Sequence, residues 1–197
     1  MRTKRVFFAS VSCFTLVTLF AYYEPLVANH FIEDYGVSEA GVGIIVSIPF
    51  VMYSISSFLS SKLLQYIHCR LSIFLGFFFC GLSFITLFGP SQLTRMPDNL
   101  IVSIVGLGFV RHFQGYIFVA LIPELMESVA SRCHKQEIPP EVADKISVIF
   151  NFFFDAGGIV APFIGNALND SLGYRRAGDV MGMVAIGWSL VYIVAVG

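Results

Sequence analysis

The chain has 197 residues, 56% of them hydrophobic and only 13% charged, with 21 phenylalanines and a mean hydropathy of +0.79, a balance that excludes an ordinary soluble domain. A formal net charge of -1 leaves no basic stripe to neutralise phosphates, which excludes nucleic acid as a partner. Cys13 and Cys80 fall in apolar runs, whereas Cys69 and Cys133 fall in polar connections, a scatter that resembles no disulfide framework and leaves the redox compartment open.

The opening stretch, MRTKRVFFASVSCFTLVTLFAYYEPLVANHF, begins with basic residues like a signal peptide. Its apolar region outruns about 18 residues and no small-residue cleavage site follows, so it predicts an uncleaved spanning helix near 6–29. Glu24 precedes Pro25 in the outer third of that span. Proline removes one intrahelical hydrogen bond and bends the helix, and a carboxylate beside the bend can face a cavity or hold a proton or cation. The plainer reading ends the helix there and leaves Glu24, like His30, at the interface.

Five further windows reach the roughly 20 residues needed to cross about 30 Å of hydrocarbon. The second, near 41–61, carries Tyr53 with a serine cluster, and the third, near 71–90, carries no charge. The fourth, near 100–124, carries Arg111 and Gln114; the fifth, near 146–168, carries Asn151 and Asp155; the sixth, near 179–197, is bland after Asp179. The third and sixth are therefore expected at the lipid-facing periphery and the other four around a polar centre. The connecting loops are short, which predicts one compact bundle. With the N-terminus in the cytoplasm, that side holds Arg2, Lys4, Arg5, Lys62, Arg70, Arg132, Lys135 and Lys145, against Arg95, Arg175 and Arg176 outside. The positive-inside rule favours this orientation.

Arg111 lies roughly 16 Å into its span, too deep to snorkel to the surface, and should cost on the order of 3 kcal/mol there without a partner or water. Asp155 reaches a similar depth from the opposite direction, so the sequence predicts an Arg111–Asp155 pair between adjacent antiparallel helices. Gln114 follows Arg111 by three positions and Asn151 precedes Asp155 by four, giving each charge an amide on its own face. Gly158, Pro162 and Gly165 are expected to continue the Asp155 face and to permit close approach. Such a pair either locks two helices together or lines a water-filled functional cavity. His68-Cys69 and Cys133-His134 lack the usual loop between metal ligands, so they read as solvated loop residues and no metal site is predicted. The dense phenylalanine content reads as lipid-facing and packing material. No Ser-His-Asp arrangement or phosphate-cradling loop is legible, so neither an enzyme nor a cofactor is expected.

Several strings are familiar. YEPLVANHF in the first span, SKLLQYIHCRLSIFLG between the second and third, LIPEL at the end of the fourth and FNFFFDAGGIVAPFIGNALNDSLGYRRA across the fifth resemble the C-terminal six-helix half of a major facilitator superfamily transporter. The similarity covers nearly the whole chain and is nearest to the vesicular amine and polyamine branch of proton-coupled exporters. It places Glu24 and Pro25 on that branch's E-P-T-L element. Leu63, Arg70 and Gly76 fall on the superfamily's G-x-L-x-D-R-x-G-R-R turn, with Ser61, Gln65 and His68 as departures. Gly157, Pro162 and Gly165 fall on the G-x-x-x-G-P-x-x-G-G pattern, with Ala161 and Asn166 as departures. The branch's two aspartates align with Phe118 and Asn151, with Asp155 one turn further on the same face. Arg111 has no counterpart in the amine carriers, and such a fixed cation disfavours monoamine cargo and makes an anionic, zwitterionic or strongly polar solute as plausible as an amine.

The resemblance implies an all-α membrane protein forming one half of the major facilitator fold. It also implies alternating access, with the solute bound at the midplane between two halves. Glu24 or Asp155 would exchange a proton, and Arg111 would hold a substrate anion or neutralise Asp155. The expected partners are the lipid bilayer, a small polar or ionic solute, protons, and either a missing N-terminal half or a second copy. The chain ends at VYIVAVG, at the edge of its sixth span, which suggests a truncated or split product. The alternatives are a non-transporting structural subunit, a transporter remnant, or a six-helix channel, the last weakened by the lack of a filter segment.

Overall fold

A computed structural model describes residues 2–87, 93–97, 99–133 and 139–196. Cys133-His134 falls outside the described side chains, as do Arg132, Lys135 and the last residues of the third predicted span. Seven α-helices and no strand occur among the described residues: α1 (Arg2–Ala21), α2 (Glu24–Glu33), α3 (Glu39–Leu63), α4 (Cys69–Thr86), α5 (Leu100–Cys133), α6 (Pro140–Leu172) and α7 (Tyr174–Val196). With α1 and α2 together forming the first, they make six spans long and apolar enough to cross a membrane.

The first span is broken where Pro25 predicts a bend. Proline has no N–H to donate and its fixed φ suits the first turn of a helix, so the chain ends α1 at Ala21 and restarts at Glu24. Glu24 thereby occupies the first turn of α2, where the helix dipole favours a carboxylate. At the start of α3, the Ser38 hydroxyl accepts from the Gly41 amide at 3.2 Å and caps the helix. Between α6 and α7 the connection shrinks to Gly173, whose φ of +80° only glycine adopts freely. Both helices there, like α5, run well past the predicted span limits, so charged residues expected in loops sit on helix ends. Cys69, also expected in a connection, opens α4 and is half-buried.

The helices assort as two sets of three. The first span crosses α5; α3 packs along α5 and α6 along the first span; α4 packs along α5 and α7 along the first span; α4 and α7 pack on each other. Exchanging the first three spans for the last three maps each of these packings onto another, while α6 also touches α7 with no comparable contact between α3 and α4.

The expected periphery changes in part: α4 and α7 keep apolar outward faces, as at Leu82, Met183, Val191 and Val194, but they are better covered than α3 and α6. The third and sixth spans, α4 and α7, lie against each other, because Gly81 and Gly182 let their backbones approach: a Cβ at Gly81 would meet the Gly182 carbonyl oxygen at 2.6 Å. Trp188 of α7 also donates through Nε1 to Ser12 Oγ of α1 at 2.9 Å. The least covered spans are α3 and α6. Their outward faces carry Ile44, Val51, Phe58, Phe152, Ile159 and Phe163, but also Ser47, Ser54, Ser147, Asn151 and Asp155. Phenylalanine is divided likewise: Phe7, Phe58 and Phe163 point outward, whereas Phe31, Phe77 and Phe84 fill the core.

Candidate functional site

Arg111 is the largest fully buried side chain, 2% exposed, and its partner is Glu24, with Arg111 Nη2 donating to Glu24 Oε1 at 2.6 Å. The predicted pair with Asp155 does not form. α5 and α6 touch only marginally because the first span lies between them, and Asp155 and Asn151 are exposed on the outer face of α6. Equal depth along two spans cannot say which helices are neighbours. The restart at Glu24 brings a carboxylate to Arg111 from the helix that α5 does cross.

The guanidinium is boxed by aromatic rings. Its carbon lies 3.3 Å from the centroid of Phe20, 5.1 Å from that of Tyr23 and 5.3 Å from that of Phe50, so ring faces on α1, α3 and the break between α1 and α2 stabilise the cation while it is removed from water. Arg111 Nε and Nη1 have no hydrogen-bond partner among the described residues. Glu24 is less enclosed, its side chain 42% exposed. Both residues line a cleft of about 20 Å³ with Val46, Pro49 and Leu107, space on the order of one water.

Gln114 is on the Arg111 side of α5 as expected and is wholly buried. Its Nε2 donates to the Leu19 carbonyl at 3.1 Å, while its Oε1 has no partner among the described residues. It lines a second cavity of about 120 Å³ with Leu16, Val17, Phe20, Tyr53, Phe118 and Phe154. Tyr53 packs edge-on against Phe20 and Phe118, with centroids 6.2 Å and 6.0 Å away. Phe20 is thus shared, covering Arg111 and bordering this cavity. Of the predicted site residues, the structure gathers Glu24, Arg111, Gln114 and Tyr53 and leaves Asn151 and Asp155 apart. His112 points elsewhere, into a cavity of about 190 Å³ against α4.

The small residues of α6 are corrected as well. Gly157 and Gly165 are buried, and a Cβ at Gly157 would lie 2.7 Å from the Phe14 carbonyl oxygen, while one at Gly165 would collide with the Tyr22 backbone. Together with Ala161 they seat α6 on α1, on the side opposite Asp155, because two residues turn a helix by about 200°. Pro162 is half-buried beside them, within the helix.

A second charged cluster escaped the sequence reading. Glu124 of α5 is 0% exposed and accepts from Arg5 Nε at 3.1 Å and Nη2 at 2.9 Å, and from Ser128 Oγ at 3.3 Å. Arg70 Nε stands 3.8 Å from its other oxygen, and Arg70 Nη1 donates to the Val196 carbonyl at 3.2 Å. Glu127, half exposed, lies within 3.5 Å of both arginines. These contacts tie the ends of α1, α4, α5 and α7 at the end of the bundle that carries the N-terminus. A glutamate closing an apolar window reads as a boundary residue; the signal was that the window continues past it as MESVA.

At the other end, His30 is buried against Tyr174, with ring centroids 4.1 Å apart, and pairs through Nδ1 with Asp34. It is therefore a packed link between α2 and α7 more than an interfacial residue.

Six apolar spans, all helical among the described residues, make this by architecture a multi-pass integral membrane protein, with the buried Arg111 at its centre. Neither the protein-family models nor the curated proteins contain a match to the chain.

Proposed function

We propose that the chain is one six-helix half of a secondary transporter of the major facilitator type. It moves a small polar solute by alternating access coupled to protons, and Glu24 and Arg111 form the centre of the path. The observation that carries this reading is the Arg111–Glu24 pair itself. An ionised pair deep in a membrane bundle is costly to keep, and here one member is buried and underused while the other is part exposed beside a helix break. Broken helices that place charged side chains beside a midplane cavity are the usual construction of a transport site.

The packing pattern supports the same reading. Three spans exchanged for three is the arrangement of an inverted repeat, since an odd number of spans per unit reverses direction in the membrane. Asn151, Asp155, Ser147, Ser47 and Ser54 on the outward faces of α3 and α6 are poorly suited to lipid. A second six-helix unit, from another chain or a second copy, would cover them and complete the cavity wall. In this scheme Glu24 takes up a proton when it leaves Arg111 and releases it on returning. Asp155, facing the second unit, is the other candidate proton carrier. The N-terminus lies in the cytoplasm, and no enzymatic step is involved.

Uptake of solute by proteoliposomes holding the purified chain, alone and with an N-terminal half, tests the reading, measured with and without a pH gradient. Gradient-dependent uptake abolished by Glu24→Gln is the expected result; its absence from a folded sample in both preparations would sink the proposal. A non-transporting membrane subunit is the second reading, favoured by the loss of the turn's aspartate at Gln65, and it requires no uptake in either preparation.

A further inference from the structure

We propose that the solute of this site is a small organic carboxylate with an apolar body, its anionic end bound by Arg111 in exchange for Glu24. The proposal rests on the transporter reading only in requiring that solute reach the site.

Arginine presents five N–H donors in a planar fork that matches a carboxylate. Glu24 engages Arg111 through Nη2 alone, leaving Nε and Nη1 buried without a partner among the described residues. A buried guanidinium left so incompletely bonded is unfavourable, and a second planar anion would supply what Glu24 does not. Glu24 is placed to give way, because it is part exposed and sits on the first turn of a short helix beyond the break at Tyr22-Tyr23. Once protonated it no longer competes for the cation.

A cationic solute fits poorly. The ring faces that would receive it, those of Phe20, Tyr23 and Phe50, are already turned to the guanidinium of Arg111. Any cation reaching Glu24 Oε1 would also come within a few ångströms of Arg111, where like charges repel strongly in a low-dielectric setting. The aromatic box holds the protein's own cation, which leaves the anion to come from elsewhere.

The adjoining cavity sets the body of the ligand. Its walls are apolar apart from Tyr53 and Gln114, and its volume is about 120 Å³. A dry cavity of about 150 Å³ accepts benzene, so the site suits a body of at most one six-membered ring or a short branched chain. Gln114 Oε1, buried without a partner among the described residues, offers an acceptor for one hydroxyl or amide N–H on that body. Phe20 both borders the cavity and covers the Arg111 guanidinium, so rotation of that side chain would open a way between them.

The test is calorimetric binding of 3-phenylpropionate and of 3-phenylpropylamine, which share one apolar body, to the purified full chain. The carboxylate should bind and the amine should bind at least tenfold more weakly. Arg111→Gln should weaken carboxylate binding on the order of tenfold or more, as expected for losing a charge-assisted hydrogen bond. Glu24→Gln should strengthen it several-fold by removing the competing carboxylate, a change that a merely structural pair would not produce. Preference for the amine, weaker carboxylate binding by Glu24→Gln, or binding of neither probe to a helical, monodisperse sample would overturn the proposal. Should Arg111→Gln not fold, Glu24→Gln and Phe20→Ala decide, the latter expected to retain carboxylate preference while admitting a larger body. Proteoliposomes separate the two claims. Carboxylate binding without gradient-driven flux keeps this site and sinks the transporter reading, whereas gradient-driven flux of the amine alone keeps the transporter and sinks this site.

Discussion

Arg5 and Glu124, 119 residues apart in the chain, meet at 2.9 Å with the glutamate wholly enclosed, and Arg70 approaches the same carboxylate from α4. One buried anion thus holds two cations on separate helices, and removing it leaves only the half-exposed Glu127 to pair with them. Breaking a buried pair costs about 3–5 kcal/mol, and the partial exposure of Arg5 (13%) and Arg70 (34%) puts this change toward the lower end of that range. We expect Glu124→Ala to lower the unfolding temperature of the detergent-purified chain sharply. Glu127→Ala, in the same cluster but 51% exposed, should cost about 1 kcal/mol or less. Equal shifts for the two variants would mean that the cluster is not organised around Glu124.

Coupling across the bundle centre should follow the contacts and not the depth. In a double-mutant cycle on thermal stability, Arg111→Ala with Glu24→Ala should cost less than the sum of the single changes. Arg111→Ala with Asp155→Ala should be additive within about 0.5 kcal/mol, since these residues share no partner. The Arg111→Ala change alone should fall toward the lower end of the buried-pair range, because Glu24 is part exposed and can be solvated. Non-additivity with Asp155 would restore the pairing that the sequence suggests.

The reason the sequence pointed to Asp155 is instructive. Hydrophobic windows and helix rise fix how deep a residue lies, and Arg111, Gln114 and the Glu24-Pro25 break were all legible in that way. Which helix lies beside which depends on small-residue contacts between remote segments. Gly157 and Gly165 against α1, and Gly81 against Gly182, decide the neighbours, yet they leave only scattered glycines in the sequence. For the same reason the packing of α4 on α7 was not legible, nor that α3 and α6 keep the more open faces. Glu124 was missed because its partners come from two other helix ends, and the local sign, an apolar window that runs on past it, does not name them.

The glycine contacts between α4 and α7 can be tested directly. A Cβ at Gly182 would lie 2.8 Å from the Gly81 carbonyl oxygen, a contact that backbone cannot relieve by a side-chain rotation. Gly182→Ala should therefore push the helices apart and destabilise by roughly 1–3 kcal/mol, the usual cost of overpacking. Gly187, on the same helix, faces open space. Gly187→Ala should be neutral or stabilise by up to about 1 kcal/mol, since alanine is the better helix former. Comparing the two melting temperatures controls for the general effect of adding a methyl group to α7; similar shifts would show that the interface does not depend on Gly182.

The two ends of α3 give the sharpest test of orientation. Glu39 and Gln65 are both exposed and lie at opposite ends of that span. Orientation follows the count of Lys and Arg near the membrane and not net charge, so pairing of Arg5 and Arg70 with Glu124 does not remove their influence. The Arg175-Arg176 pair acts against it from the other side. In a chain displayed at the cell surface with Cys13, Cys69, Cys80 and Cys133 replaced by serine, Glu39→Cys should react in intact cells with a membrane-impermeant maleimide. Gln65→Cys should react only after the membrane is opened. The reverse pattern would place the N-terminus and the Glu124 cluster outside, and Glu24 would then approach the bilayer centre from the cytoplasmic side.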